Sequence, residues 1–334
     1  MLIHPKPRRF LLLLALALVG LGALAVNTGA MHLSLPALWR TPFDAPLWHI
    51  WWNIRLPRVL LAVVVGAALA LSGGVMQGLF RNPLADPGLL GISSGAALAV
   101  AFSVVLPLGL PPLLALYSPM LAAFIGSLAI TVVIFTLGRP GHSSLSRLLL
   151  LGIAINTLCG AAIGVLSWIS DDRQLRQLSL WGMGSLGQSQ WSTVLACASL
   201  VLPAILVIQR QAARLNLLQL GDEEAHYLGV DVRRTQRRLL MLSALLVAAS
   251  VAVSGIIGFV GLVIPHLVRM CLGADHRWLL PGATLAGAAL LLLADTIART
   301  VVAPAEMPVG LLTSLLGGPW FLWLILRRRG GYDD

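Results

Sequence analysis

PGLLGISSGAALAVAFSVVLPLGLPPLLALYSPMLAAFIGSLAITVVIFTLG, running from Pro87 to Gly138, is 52 residues without one charged side chain. A helix rises about 1.5 Å per residue, so the run would reach roughly 78 Å if straight. A bilayer core is about 30 Å thick, and about 20 residues cross it. The stretch fits two crossings folded back at Pro107, Pro111 and Pro112. It sets the fold class: an all-α, polytopic membrane helical bundle, read as one domain over residues 1–334.

The rest of the chain agrees, with 58% apolar and 11% charged residues. Charge-free runs predict about ten transmembrane helices. They are Phe10–Val26, Val59–Leu79, Leu89–Leu106, Leu113–Leu137 and Leu148–Ile169, then Trp191–Ile208, Leu239–Val253, Ile257–Cys271, Leu279–Thr296 and Val309–Leu326. The first, behind Lys6, Arg8 and Arg9, also has the form of a signal peptide ending at Ala23-Leu24-Ala25; the spans that follow favour an uncleaved helix. With the N-terminus inside, 17 of the 23 basic residues fall on inner segments, so the positive-inside rule predicts both termini in the cytoplasm. Ala68–Gly73 is echoed by Ser250–Gly255, in spans predicted to run in opposite directions. Inverted halves are a common way to build a two-sided transporter.

Several function classes drop out. The net charge of +10 is scattered over short loops, which gives no single basic face for nucleic acid. Lys6 is the only lysine, so no phosphate-binding Gly-Lys-Ser/Thr loop exists; if ATP drives this protein, another chain binds it. Cys159, Cys197 and Cys271 lie in apolar runs at no metal-ligand spacing. Neither a metal site, a resident cofactor nor a catalytic residue is expected. Gly91-Ile92-Ser93-Ser94-Gly95 fits a serine-hydrolase elbow, with His266 as an imaginable base. Small residues of that kind more commonly let membrane helices approach. An ion-coupled secondary transporter usually carries mid-membrane carboxylates. Here Asp295 is the sole candidate, beside Arg299 near a helix end.

Three segments are too polar or too specific for membrane filler. Arg81–Gly88 holds Pro83 and Pro87, which bar regular helix. Gly221, Asp222, Glu223, Glu224, Ala225, His226, Tyr227, Leu228 and Gly229 read as a short helix, acidic in its first turn and stopped by glycine. Gly221, Ala225 and Gly229 recur every fourth residue, predicting a smooth face that another protein can approach. Gly258–His266 reads as a helix broken within the membrane zone.

Together with Arg55-Leu56-Pro57-Arg58, Ser72-Gly73, Gln77, Asp295 with Arg299, Pro308-Val309-Gly310 and Gly317-Gly318-Pro319-Trp320-Phe321, these segments resemble the permease subunits of ABC importers for cobalamin, iron-siderophores and haem. The resemblance implies ten helices per subunit, a second copy of the chain, two ATP-binding cassette ATPases carrying ATP and magnesium, and a periplasmic binding protein. It implies a place in the bacterial inner membrane. The 221–229 helix becomes the ATPase-coupling element. Arg55, Arg58 and Arg299 become contacts for the binding protein, each at an outer helix end where it is cheap to hydrate while unpaired. Asp295 and Arg299, four residues apart, are expected to pair. Asn82, Leu84, Leu145 and Ser146 become the cytoplasmic gate. The segment Ser170–Leu186, with Arg173, Arg176, Trp181 and Gly184-Ser185-Leu186, looks most like the haem importers. Haem is therefore the expected solute, ahead of a ferric siderophore, with cobalamin third.

Overall fold

A computed structural model describes residues 7–29, 42, 46–106, 109, 111–138, 144–303 and 305–329. Among the described residues there are thirteen helices and no strand. They are α1 (Pro7–Asn27), α2 (Pro46–Leu79), α3 (Ile92–Val105), α4 (Pro112–Gly138), α5 (Ser144–Ile169), α6 (Asp172–Gly182), α7 (Trp191–Arg210), α8 (Ala212–Leu218), α9 (Asp222–Tyr227), α10 (Val232–Ser254), α11 (Val260–Leu272), α12 (His276–Thr300) and α13 (Val309–Arg329). Seven are long and apolar enough to cross a membrane, and α3, α11 and the apolar part of α13 are shorter apolar helices. These match the ten expected spans.

The bundle is organised around α2, which packs on α7, α10, α11 and α12. Small residues allow the contact. A Cβ placed on Gly66 would lie 2.4 Å from the Gly287 carbonyl oxygen of α12. One on Gly73 would lie 1.8 Å from the Gly261 oxygen of α11. Pro265 cannot donate to that Gly261 oxygen, and Gln77 Nε2 donates to the neighbouring Leu262 oxygen at 3.0 Å. Gly73 and Gln77 therefore seal the broken start of α11. By contrast α1 is largely uncovered within the chain, with only Ala25 and Val26 buried.

Two expected boundaries move. α2 starts at Pro46, ahead of the expected Val59, because Trp51–Arg55 forms a π-turn in which the Leu56 N–H reaches the Trp51 oxygen. Pro57 then sits in the first turn of the following α-helical stretch, where its missing N–H is harmless. α10 starts at Val232, so Arg233, Arg234, Arg237 and Arg238 extend the helix ahead of its apolar part.

Each half runs long, short, long, long: α2, α3, α4, α5 and then α10, α11, α12, α13. Both short helices follow a break. The first is the 3₁₀ turn Pro87–Leu90, capped by Asp86 accepting from the Gly88 N–H at 2.7 Å and ended by Gly91 at φ 78°. The second is the stretch after Gly255 (φ 68°). Irregular backbone at membrane depth must find partners in protein, and it does: Ser185 N–H donates to the Ser254 oxygen at 2.7 Å, and Gly310 N–H to the Gly184 oxygen at 3.2 Å. The echoing hexapeptides lie in α2 and α10 but differ in setting, since Gly73 is inside its helix and Gly255 ends its own.

Candidate functional site

One end of α2 leads into a loop system built by α8 and α9. Asp222, Glu223 and Glu224 occupy the first turn of α9, where the helix dipole favours them. Gly221 (φ 138°) and Gly229 (φ 86°) bound it in conformations that side chains resist. The helix exists where the sequence placed it. The expected smooth face is divided: Gly229 is exposed and Gly221 half-buried, but Ala225 turns inward. Ala225 is fully buried, its carbonyl accepts from the Val230 N–H at 3.0 Å, and α9 packs on α8 and α10. The small residue is spent on the chain's own packing. The presented side consists of Glu223, Glu224, His226, Tyr227 and Leu228 with Leu220, and Tyr227 is 86% exposed.

Arg81, which the sequence marked only as a basic loop residue, joins this element to the segment after α2. It adopts φ 50°, donates from Nε to the Leu218 oxygen at 2.9 Å and pairs through Nη2 with Asp222. Gln236 Nε2 reaches the other Asp222 oxygen at 3.3 Å, and Gln219 Nε2 the Gly78 oxygen at 2.6 Å. Asn82 follows directly, exposed, its Oδ1 accepting from the Leu84 N–H at 2.9 Å; Leu84 is half-buried. Leu145 and Ser146 fall in the first turn of α5, and their side chains lie outside the described residues. Nearby, Asp275 caps α12. Burial pushes its carboxyl up, but hydrogen bonds from Arg277 and Asn216 outweigh that and hold it at about 2.

At the opposite end of α2 lie Arg55 and Arg58, with Arg299 from α12. All three are buried, at 5%, 7% and 6% exposure, which corrects the expectation of readily hydrated arginines. Arg58 grips Asp295 with Nε (3.1 Å) and Nη2 (3.0 Å), and Glu306 with Nη1 (2.9 Å). Asp295 is fully buried and also faces Arg299 Nε at 3.8 Å, so the expected i,i+4 pair forms. Arg55 Nη1 donates to the Val26 and Asn27 oxygens at 3.0 and 2.9 Å, and Arg299 Nη2 to the Ala25 oxygen. The last carbonyls of a helix have no partner within it, and here two arginines supply one to α1. Apart from the Asp295–Arg299 pair, the partners were invisible in sequence because they come from 28 to 274 positions away. Glu306 alone is open, its side chain 53% exposed.

Trp48, Trp51, Trp52 and Trp191 stack in series at this end, with centroids 5.4–6.1 Å apart. Trp191 Nε1 donates to the Trp52 oxygen at 3.0 Å. Aromatic rings gather at membrane–water boundaries. The segment that suggested haem divides in two. Gly184 and Ser185 serve the break after α10, whereas Arg173 and Arg176 stay exposed on α6.

The small residues of Gly91–Gly95 serve helix packing, as expected. Gly95 packs on α4, where a Cβ on Gly126 would lie 2.3 Å from the Gly95 oxygen. Ser94 Oγ bonds Asn156 Oδ1 at 2.6 Å, and the His266 ring lies against Trp320.

Known proteins share this architecture. The chain is 70% identical over 324 residues, 97% of both sequences, to the hemin transport system permease protein HmuU of Yersinia pestis. It is 43% identical over 321 residues, 96% of each, to the vitamin B12 import system permease protein BtuC of Escherichia coli. A solved structure described as an inward-facing conformation of a metal-chelate type ABC transporter superposes with a TM-score of 0.86 at 36% identity, covering 96% of this chain and 99% of that one. Residues 12–327, which take in the ten apolar helices, the α8–α9 loop and the arginine cluster, match one family throughout: the chain belongs to the FecCD transport family.

Proposed function

We propose that this chain is the membrane permease of an ATP-driven importer that carries haem across the bacterial inner membrane. The observation that carries the solute is the 70% identity, end to end, with a hemin transport permease. Haem is cargo here, and ATP with magnesium belongs to a partner ATPase. Two copies of the chain enclose the pathway, two ATPases drive it, and a periplasmic protein delivers the solute. The 17 basic residues on one set of segments support cytoplasmic termini.

In this reading the ATPase docks on the exposed side of α9, through Glu223, Glu224, His226, Tyr227 and Leu228, while Gly221 and Gly229 bound the helix and Ala225 packs beneath it. Movement of α9 passes through Asp222 and Arg81 to Asn82 and Leu84, the cytoplasmic gate, which Leu145 and Ser146 complete. ATP shifts the gate only because the ATPase holds α9 differently in its two states. At the periplasmic end the binding protein meets the arginine cluster by exchange. An incoming carboxylate takes the place of Glu306 on Arg58, and Arg55 and Arg299 hold α1 in position.

Liposomes containing the chain with its ATPase, supplied with loaded binding protein and no ion gradient, test the proposal. ATP-dependent accumulation of haem in preference to a ferric siderophore or cobalamin is expected. Preference for cobalamin would replace the solute, and uptake without ATPase or nucleotide would overturn the importer.

A further inference from the structure

Gln211 and Arg214 at the start of α8, Gly229 after α9 and the first two turns of α10 line a half-open cavity of about 340 Å³. Its wall carries Arg214, Arg234 and Arg238, with the buried amide of Gln211 and the buried hydroxyl of Thr235 beside them. Asp231 is the only acid in the lining, and its carboxylate is engaged as the cap of α10, accepting from the Arg234 N–H at 3.0 Å. Arg214 Nη1 donates to Gln211 Oε1 at 2.9 Å, which tethers its guanidinium in the cavity wall. Among the described residues none of these three arginines takes part in an ion pair.

Three exposed guanidiniums around one concavity give it a positive potential that attracts an anion. The planar fork of arginine suits phosphate oxygens, which it can grip in pairs. Depth adds a second argument. Arg238 directly precedes Leu239, where the apolar part of α10 begins, so the cavity lies at the level of lipid headgroups on the side where basic residues accumulate. Arg233 and Arg237 share the same two turns but do not line the cavity.

We propose that this cavity binds a phosphate group, with Arg214, Arg234 and Arg238 as its ligands. The phosphate comes either from an anionic phospholipid or from a soluble anion.

Two measurements on the purified full-length chain separate the sources. Native mass spectrometry reads retention of phosphatidylglycerol against phosphatidylcholine. Thermal unfolding reads a shift with inorganic phosphate against chloride at equal ionic strength. The variant R214Q/R234Q/R238Q should weaken whichever binding is seen by about tenfold or more, and R233Q/R237Q should change it by no more than about twofold. Should the triple variant fail to fold, R238Q alone is expected to cost about tenfold. Phosphatidylglycerol retention without a phosphate shift assigns the site to lipid; a phosphate shift without lipid retention assigns it to a soluble anion. The proposal is overturned if neither ligand binds, or if the two sets of variants weaken binding equally. Neither readout involves transport, so the result is independent of the solute.

Discussion

The two ends of α2 use the same side chain in opposite ways. At one end Arg55, Arg58 and Arg299 are buried, gripping Asp295, Glu306 and the last carbonyls of α1. At the other, Arg233, Arg234, Arg237 and Arg238 stand exposed on the first turns of α10. A buried charge is tolerated only with partners and leaves a large penalty when one is removed. An exposed one is solvated either way. Arginine content therefore says little about stability until burial is known.

The sharpest test is Arg58→Ala, which leaves the fully buried Asp295 carboxylate with only the 3.8 Å contact to Arg299. A loss of about 3–5 kcal/mol is expected, read as thermal unfolding in detergent, with D295N in the same chain restoring part of it. Arg237→Ala at the other end should stay within about 0.5 kcal/mol. Equal losses at the two sites would erase the contrast. Next in size is Ala225→Leu, which overfills the packing beneath α9 at about 1–3 kcal/mol. Faster hydrogen exchange across residues 212–230 is the expected sign, and unchanged exchange would return Ala225 to an outward face. Tyr227→Ala should do the converse, leaving stability within about 0.5 kcal/mol while weakening ATPase association about tenfold. Arg81→Ala removes a half-exposed ion pair with Asp222. No more than about 1 kcal/mol should follow, visible as faster exchange in α9 alone.

The smallest effect concerns acid. Because the Asp275 carboxyl is held at about 2 in the fold, its contribution is fully present above its ordinary value near 3.9. It fades as pH falls through that value toward 2. Asp275→Asn should flatten this part of the acid-unfolding curve measured by circular dichroism, modestly, since the group is mostly solvated.

Much of this was legible from the residues. The charge-free runs foretold the ten apolar helices, and Gly221 and Gly229 foretold where α9 starts and stops. The i,i+4 spacing foretold the Asp295–Arg299 pair. The errors share one cause. The four-residue repeat of small side chains was correct as a pattern, yet a pattern on one helix does not state which neighbour it meets. Ala225 met α8 and α10 instead of another protein. Arg81 was singled out with its segment, but its pairing escaped notice because its partner, Asp222, lies 141 positions away. Likewise the start of α2 escaped because Arg55 and Arg58 end the charge-free run, whereas the helix continues through them by a π-turn.

By itself the sequence determined what depends on local chemistry: which stretches are apolar enough to leave water, where proline and glycine break them, and which termini carry charge. Those properties act over a few residues and survive in any fold. Only the tertiary structure decided which charges are buried and what they hold. Burial and pairing are relations between segments far apart in the chain. The arginines of α2 became structural clamps because the end of α1 and the carboxylates of Asp295 and Glu306 arrived beside them.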